Sequence, residues 1–383
     1  MKASSYQKRV DSKKETDKPV KDAVDTGKSK TGISSHKQII QYTNGPDMDA
    51  FGGGSRAPRF SGKELALSRL NEIRQLTASL RPLQSRMIRR DELIELVRRY
   101  IGVYSGSKME QAMAEMLMAD VKEFVRSNPV RIFQSDTGNV IIDILGENQA
   151  LRPLILTAHM DTLKKSEPGA LEVDLENNLM YCTRPDVSVG FDDKNGLALI
   201  MAAVRALSAT RPFRRTLRLI FTVAEEIGMA GACELVENEN CRPMMEEAVL
   251  IILFDGPIFK EDKPVEHIFS NFRNIKQHRA LTDIIFDAAQ EITGNLPLVH
   301  TFTLAEDNVY KSRLPDSPVL KFQAGYSGDA FGHANDYTYI PYLEYIAEDI
   351  ARIITILDST ADAEIALAQP TPVVRKEKYF KET

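Results

Sequence analysis

Short apolar runs that end in polar or charged residues recur along the chain between residues 153 and 325. They read PLILTAH, LRLIFTVAEE, AVLIILFDG and PVLKFQAG. Apolar runs of this length, bounded by polar residues, are typical of buried β-strands. Between the first two runs, NGLALIMAAVRALSA has the i, i+3, i+4, i+7 spacing of an amphipathic helix in Leu197, Ile200, Met201 and Val204. Buried strands that alternate with helices predict an α/β fold whose sheet is covered on both faces.

The segments on either side extend this pattern. DELIELVRRYIGV and SKMEQAMAEMLMADVKEFVRS have helical periodicity, and VRIFQSDTGNVIIDILG predicts two strands joined by a turn at Asp136 to Asn139. A final helix is predicted from apolar residues at helical spacing, which are Leu343, Ile346, Ile350, Ile353 and Leu357.

Composition divides the chain into four parts. Residues 1–60 are rich in Lys, Ser, Thr, Asp and Gly and poor in large apolar residues, so we predict a disordered tail. The tail is either a solubilising segment or a tether that docks on an assembly or an anionic surface through its lysines. Residues 61–88 predict a helical linker, used for packing or for oligomerisation, from Leu65, Leu67, Leu70, Ile73, Leu76 and Leu80. The ordered domain is expected over residues 89–362, followed by a C-terminal tail over 363–383.

The overall charge and the cysteines exclude several classes of protein. The net charge of −5 lacks the basic excess that is typical of nucleic-acid binding. The three cysteines are scattered, without C-x-x-C spacing, which argues against a disulfide framework or a cysteine zinc site. The N-terminus has no apolar signal-peptide region, and no apolar run reaches the roughly 20 residues that span a bilayer. These features predict a cytoplasmic protein with neither a nucleic-acid nor a membrane partner.

Candidate chemistry is concentrated at the ends of the predicted strands. In α/β sheets, ligands bind at the carboxyl ends of the strands. The polar residues expected there are His159, Asp161, Asp192, Asp193, Glu225, Glu226 and Asp255. So many carboxylates would repel one another unless cations were bound among them. Mixed histidine and carboxylate ligands suit two zinc ions, with cobalt or manganese as alternatives.

The motifs HMD, GFDDKNG, AEEIGMAGA and FDG, in this order, resemble those of the di-zinc exopeptidases. That family includes peptidase T, the carboxypeptidase G type and the single-domain zinc aminopeptidases, and the resemblance covers residues 90–360. It implies a three-layer sandwich in which helices flank a mixed, largely parallel central sheet. It also implies that residues 89–362 form a di-metal peptidase domain.

The resemblance assigns a role to each motif residue. His159 is expected to bind one metal and Asp161 to hydrogen-bond its imidazole, while Asp192 bridges the two metals. Glu225 is expected to be the general base. Glu226 would bind the metal across from His159, and Asp255 the other metal. An unligated carboxylate beside a metal-polarised water can take its proton and pass it to the leaving amine, which supports the division between the two glutamates.

The second histidine ligand is less sharply defined by the sequence. The family places it before the final helix in an H-x-x-E motif, which favours His333, with Asp336 where glutamate is usual. His300 is the competing candidate. Upstream, Asp307 resembles a semi-conserved aspartate that supports the site without binding metal.

Spacing predicts that the catalytic domain has no lid. The positions of His159 and Asp192 differ by 33 residues, and those of Asp255 and His333 by 78. Neither interval holds the separate domain of the two-domain relatives. Substrate-binding and oxyanion groups would then come from this domain, with Tyr310, Tyr326 and Arg273 as candidates, from the N-terminal helices, or from another subunit of a homo-oligomer.

These features predict a metal-dependent hydrolase of amide bonds in short peptides, as an aminopeptidase or tripeptidase. One alternative is a deacylase of N-acyl amino acids or small amides that uses the same metal centre. A second alternative is a catalytically silent relative that binds a partner through its N-terminal tail.

Overall fold

The structure is a computed structural model that describes most of the predicted domain. The described residues are 63, 64, 66–68, 70, 83, 86–163, 166–256, 266–270, 278–293, 298–300, 305–323 and 335–367. The predicted N-terminal tail, most of the predicted linker and residues 368–383 of the predicted C-terminal tail lie outside these residues. So do His333, Tyr326 and Arg273. No helix among the described residues is long and apolar enough to cross a bilayer.

Eight of the described strands form one central sheet in the order β1-β2-β6-β3-β7-β10-β8-β9. They are β1 (Val130–Gln134), β2 (Val140–Ile144), β3 (Leu154–His159), β6 (Leu217–Thr222), β7 (Leu250–Phe254), β8 (Glu266–Ser270), β9 (Leu298–His300) and β10 (Val319–Phe322). The four central strands, β6, β3, β7 and β10, are parallel. Strands β1 and β2 continue the sheet in antiparallel fashion on one side, as β8 does beside β10. The mixed, largely parallel sheet predicted from the sequence is confirmed.

Helices cover both faces of this sheet. They are α1 (Arg90–Ile101), α2 (Gln111–Phe124), α3 (Phe191–Ser208), α4 (Ala230–Glu237), α5 (Arg242–Glu246), α6 (Arg279–Thr293), α7 (Glu306–Arg313), α8 (Ile340–Ser359) and α9 (Asp362–Leu367). The larger core contains side chains of α1, α2, α3, α6 and α8, and the smaller core contains side chains of α4, α5 and α7. The three-layer α/β fold is therefore as predicted. The short helix α9 spans the predicted boundary with the C-terminal tail.

The alternation of side chains along the strands decides which face carries the candidate chemistry. In β3, Leu154, Leu156 and Ala158 belong to the larger core, whereas Ile155 belongs to the smaller one. Because successive strand residues point to opposite faces, His159 lies on the side of the smaller core. The same spacing places Thr222, Asp255 and Lys321 there, two residues after Ile220, Leu253 and Val319, which all belong to the smaller core.

A second, smaller sheet was not predicted from the sequence. It has the strand order β11-β5-β4, with β4 (Leu171–Asp174), β5 (Leu179–Cys182) and β11 (Tyr337–Tyr339). Strand β11 pairs antiparallel with β5, so that Tyr337 lies opposite Tyr181. This pairing brings the segment before α8 against the segment before α3.

The described part of the predicted N-terminal helix packs on the domain. Residues 63, 64, 66–68 and 70 are helical, and Ala66 and Leu70 are buried. The Tyr339 hydroxyl donates to the Ala66 carbonyl at 2.9 Å. Leu67, predicted on the apolar stripe, is 37% exposed. The described part of this segment therefore packs on the domain, and a role in oligomerisation stays a prediction.

Candidate metal centre

Four of the five predicted metal ligands come together at the carboxyl end of the sheet. His159, Asp192 and Glu226 each offer one ligand atom, and these atoms all lie within 4.8 Å of one another. The His159 Nε2 atom lies 3.1 Å from Asp192 Oδ1 and 3.9 Å from Asp255 Oδ1. The fifth predicted ligand, His333, lies outside the described residues. Its competitor His300 ends strand β9, whose side chains are also outside the description.

The imidazole of His159 is buried and held by the chain that follows it. Its Nδ1 atom lies 2.9 Å from the Asp161 carbonyl oxygen and 3.4 Å from Asp161 Oδ1. A carbonyl oxygen can only accept, so Nδ1 carries the hydrogen and donates it there. When the imidazole is neutral, Nε2 keeps a lone pair that faces Asp192 and Asp255, which is the arrangement that a metal-binding histidine requires.

The carboxylate of Asp161 organises the two glutamates after β6. It accepts hydrogen bonds from the Glu225 amide at 2.9 Å, the Glu226 amide at 3.2 Å and the Ser107 hydroxyl at 2.7 Å. Burial raises the pKa of Asp161, but its contacts with His159 and these donors outweigh burial and hold it below its usual range. Asp161 therefore orients His159 mainly through its carbonyl and holds the Glu225–Glu226 backbone through its carboxylate.

Asp161→Asn is expected to weaken both stability and activity. The NH₂ group of the asparagine would replace one carboxylate oxygen and leave the Glu225 or the Glu226 amide without an acceptor. An unsatisfied buried donor costs about 1–3 kcal/mol in free energy of unfolding. Misplaced glutamates should lower kcat/KM by about 10–100-fold, as loss of a hydrogen-bonding partner of a metal ligand commonly does. Urea unfolding measures the first effect, and cleavage of the short peptides that the sequence predicts as substrates measures the second. Asp186→Asn, at an exposed surface ion pair, is the control. Wild-type values in both variants would contradict this role.

The segment at the start of α3 brings Asp192, and not Asp193, into the group of candidate ligands. Gly190 has a φ of 87°, and a Cβ there would lie 2.7 Å from Thr162 Cγ2, so both its conformation and its surroundings require glycine. Asp192 Oδ1 accepts a hydrogen bond from the Gly256 amide at 3.0 Å. Asp193 instead accepts from the Gly196 amide at 3.2 Å, within its own helix. The peptide bond between the two aspartates is cis.

Asp336 holds this loop from the other end of the chain. Its carboxylate accepts from the Ser188 hydroxyl at 2.7 Å and from the Val189, Gly190 and Phe191 amides at 3.0, 3.2 and 3.2 Å. Burial raises the pKa of Asp336 to about 6, although these donors oppose it. The sequence indicated only that Asp336 replaces a glutamate. The structure shows that it fixes the segment leading into Asp192.

The electrostatics of the cluster favour bound positive charge. Burial and the charge of Asp255 raise the pKa of Glu225 to about 9, although His159 opposes them. Burial lowers the pKa of His159, yet its contacts with Asp161 and Asp192 outweigh burial and hold it well above its usual value. Imidazole and carboxylate oxygens that converge in this way are a donor set for divalent ions of the zinc type. The residues present therefore fit a metal centre.

Comparison with known families decides the relationship. The family model of Peptidase family M20/M25/M40 matches residues 155–362, which is more than half of the chain. The chain belongs to this peptidase family. The match includes every predicted site residue, and the resemblance to zinc exopeptidases read from the motifs is confirmed.

Individual proteins that are similar to this family member share less than a third of its residues over the matched regions. An uncharacterized protein of Bacillus subtilis strain 168, YqjE, is 29% identical over 153 residues, which are 38% of this chain and 39% of the relative. The match thus spans well under half of that curated relative. Aminopeptidase PepT from Bacillus cereus is 15% identical, with a TM-score of 0.55 over 71% of this chain and 99% of that one. A tripeptidase from Staphylococcus aureus Mu50 is 13% identical, with a TM-score of 0.56 over 72% and 100%. These structures show the shared fold.

A further buried carboxylate lies close to the centre in this M20 family member. Glu306 and Asp307 begin α7, and both are buried. Glu306 Oε2 lies 3.5 Å from the hydroxyl of Tyr310, and Oε1 has no hydrogen-bond partner among the described residues. Tyr310, a candidate substrate donor from the sequence, is fully buried in the smaller core. Sequence reasoning missed Glu306, although its place immediately before Asp307 was the signal.

Glu306→Gln is expected to be stabilising relative to wild type, and this difference in free energy of unfolding should be larger in alkaline solution than in acid. Burial raises the pKa of Glu306 from 4.5 to about 7. Because the folded-state pKa lies above the unfolded value, its contribution is fully present below about pH 4.5 and is lost as pH rises through 7. The variant cannot ionise, so its advantage in free energy of unfolding should grow by roughly 2 kcal/mol between pH 5 and pH 8.

Urea unfolding of wild type and variant at several pH values, with a chelator present, measures this difference. Glu237→Gln, at an exposed ion pair with Arg313, is the control and should show no trend with pH. An equally flat difference for Glu306→Gln would show that this carboxyl titrates in its ordinary range.

Proposed function

We propose that the chain is a metal-dependent exopeptidase that removes residues from the amino terminus of short peptides, as an aminopeptidase or tripeptidase does. The observation that carries the proposal is the convergence of His159, Asp192 and Glu226 within 4.8 Å, next to a second glutamate, Glu225. Membership of a peptidase family supports hydrolysis of peptide bonds.

The donor set supports two divalent ions, with zinc first and cobalt or manganese as alternatives. His159 and Asp255 would hold one ion, Glu226 and His333 the other, and Asp192 would bridge them. When bound, such ions act as Lewis acids that polarise the substrate carbonyl and acidify water. Two oxygens of one carboxylate are enough for a bridge, and Asp192 is the carboxylate nearest to His159 Nε2.

The residues of the chain itself supply proton transfer and orientation. Glu225 lies outside the group of converging ligand atoms, so its carboxylate is proposed to take a proton from water and give it to the leaving amine. Asp161 accepts from the amides of both glutamates, and this hold on the backbone would support Glu225 in facing the substrate and Glu226 in facing the metal. The acidic surroundings suit a substrate with a free, positively charged amino terminus.

The names of two similar structures, an aminopeptidase and a tripeptidase, support this choice of substrate. Metal content per chain, combined with hydrolysis of aminoacyl arylamides and of N-acyl amino acids before and after chelation, tests it. Metal-bearing protein whose arylamide cleavage is abolished by the chelator supports the proposal. Cleavage of the N-acyl amino acids alone would replace it with a deacylase. Neither metal nor cleavage after reconstitution would indicate a silent relative.

A homo-oligomer that restricts access to an open site, and a cytoplasmic location, remain predictions. Light scattering on the active protein tests the first. A monomer with full activity would contradict it.

A further inference from the structure

A buried lysine lies directly behind the candidate metal centre. Lys321 belongs to β10, is 3% exposed and pairs in parallel register with Leu253 of β7. The Asp255 amide donates to the Phe322 carbonyl at 3.2 Å, which continues the pairing past the end of β7. Side chains two residues apart share a face of the sheet, so Lys321 and Asp255 point to the same side. The Lys321 Nζ atom lies 3.5 Å from Asp255 Oδ2.

The two oxygens of Asp255 consequently have different neighbours. Oδ1 faces His159, at 3.9 Å from Nε2, whereas Oδ2 faces the Lys321 ammonium. A Cβ built on Gly256 would lie 3.9 Å from Lys321 Nζ, so the ammonium also lies beside Gly256, whose amide binds Asp192. Each carboxylate near His159 thus has a positive partner: the Gly256 amide for Asp192, and the Lys321 ammonium for Asp255.

A buried ammonium is costly unless opposite charge surrounds it. The Asp255 carboxylate, 3.5 Å from Lys321 Nζ, supplies that opposite charge. A positive charge that occupies one carboxylate oxygen makes that oxygen a poorer ligand and leaves the other for a metal.

We propose that Lys321 is a positioning residue that holds Asp255 Oδ2 and thereby presents Asp255 to its ion through Oδ1 alone. The inference rests on the proposed metal assignment, in which Asp255 and His159 share an ion. Without the ammonium, Asp255 can rotate to use both oxygens, which adds a ligand to that ion. Coordination number is visible in cobalt(II) proteins, because four-coordinate sites absorb visible light more strongly per ion than sites with more ligands.

The test compares cobalt(II)-loaded wild type with Lys321→Met, Lys321→Gln and Lys321→Arg. Lys321→Met is expected to keep its cobalt and to absorb visible light less strongly per ion, because the ion would gain a ligand. Its kcat should fall while KM stays near the wild-type value, because the ion's environment changes and the substrate contacts do not. Lys321→Arg keeps a cation and should restore much of the spectrum and of kcat. Circular dichroism verifies that each variant folds. If the Lys321→Met variant does not fold, the Lys321→Gln variant is used in its place.

Arg218→Met is the matched control. Arg218 is another buried cation on the same face of the sheet, paired with Asp143 at 2.7 Å, and it lies four residues before Thr222, about 13 Å along β6. It should lose stability but keep the cobalt spectrum. If wild type binds no cobalt, the proposed function itself fails. If wild type binds cobalt and both the spectrum and kcat of Lys321→Met match those of Arg218→Met, the positioning role of Lys321 is overturned.

Discussion

Glu225→Gln is expected to lower kcat by about 10²–10⁴-fold while leaving the metal content unchanged. Glutamine has nearly the same shape but cannot take a proton from water or return it to the leaving amine. The Glu225 amide would still donate to Asp161, so the neighbouring Glu226 keeps its place in the ligand group. Steady-state hydrolysis of an aminoacyl arylamide and elemental analysis of the same samples measure the two quantities.

The control for this prediction is Glu237→Gln, an exposed glutamate paired with Arg313 in the same part of the chain. It removes the same charge from the protein and should keep both kcat and metal. A Glu225→Gln enzyme with kcat within a few-fold of wild type would assign the proton transfer to another group. Loss of metal in that variant would make Glu225 a ligand.

Asp192→Ala is expected to abolish stable metal binding. Asp192 belongs to the converging group, its Oδ1 lies 3.1 Å from His159 Nε2, and it is the proposed bridge between the ions. Wild type should gain about 2.7 kcal/mol of stability when free metal is 100 times its Kd, and the variant should gain almost none. Thermal unfolding with and without added zinc, together with metal content, measures the loss.

Asp193→Asn provides a control at the next residue. Asp193 accepts from the Gly196 amide within its own helix, and an asparagine oxygen can do the same. This variant should retain metal and its stabilising effect. Equal metal binding by Asp192→Ala and wild type would remove Asp192 from the ligand set.

The sequence predicted those parts of the fold that depend on local pattern. The central strands are mostly apolar because helices cover both faces, and α3 and α8 have apolar residues at helical spacing. The small sheet escaped prediction because β4, β5 and β11 have only three or four residues each. Its partners β5 and β11 are also far apart in the chain, so local periodicity carries no sign of their pairing.

For the candidate site, the sequence likewise predicted the residues that lie in motifs but not the backbone contacts that position them. His159, Asp192, Glu226 and Asp255 were named from motifs, and the structure brings them together. The assignment of His333 stays a prediction. What the sequence could not show depends on backbone geometry or strand register. Every residue has a carbonyl, so nothing marked that of Asp161 as a partner of His159.

Lys321 illustrates the same limit. It appeared as one polar residue within an apolar run, and its meaning depends on the register between β10 and β7. That register is set by contacts along both strands and is not encoded at the lysine. Asp336 likewise became interpretable only when its four donors, far upstream in sequence, were known.

The junction between β5 and β11 has a consequence for how the protein is made. A nascent chain that has left the ribosome as far as Gly256 already contains His159, Asp192, both glutamates and Asp255. It lacks Asp336, whose carboxylate fixes the segment before Asp192 and whose carbonyl accepts from the Cys182 amide at 2.9 Å. The segment that leads into Asp192 would therefore gain this support only after translation has passed Asp336. Such an order of assembly would keep an unfinished peptidase inactive beside other newly made chains.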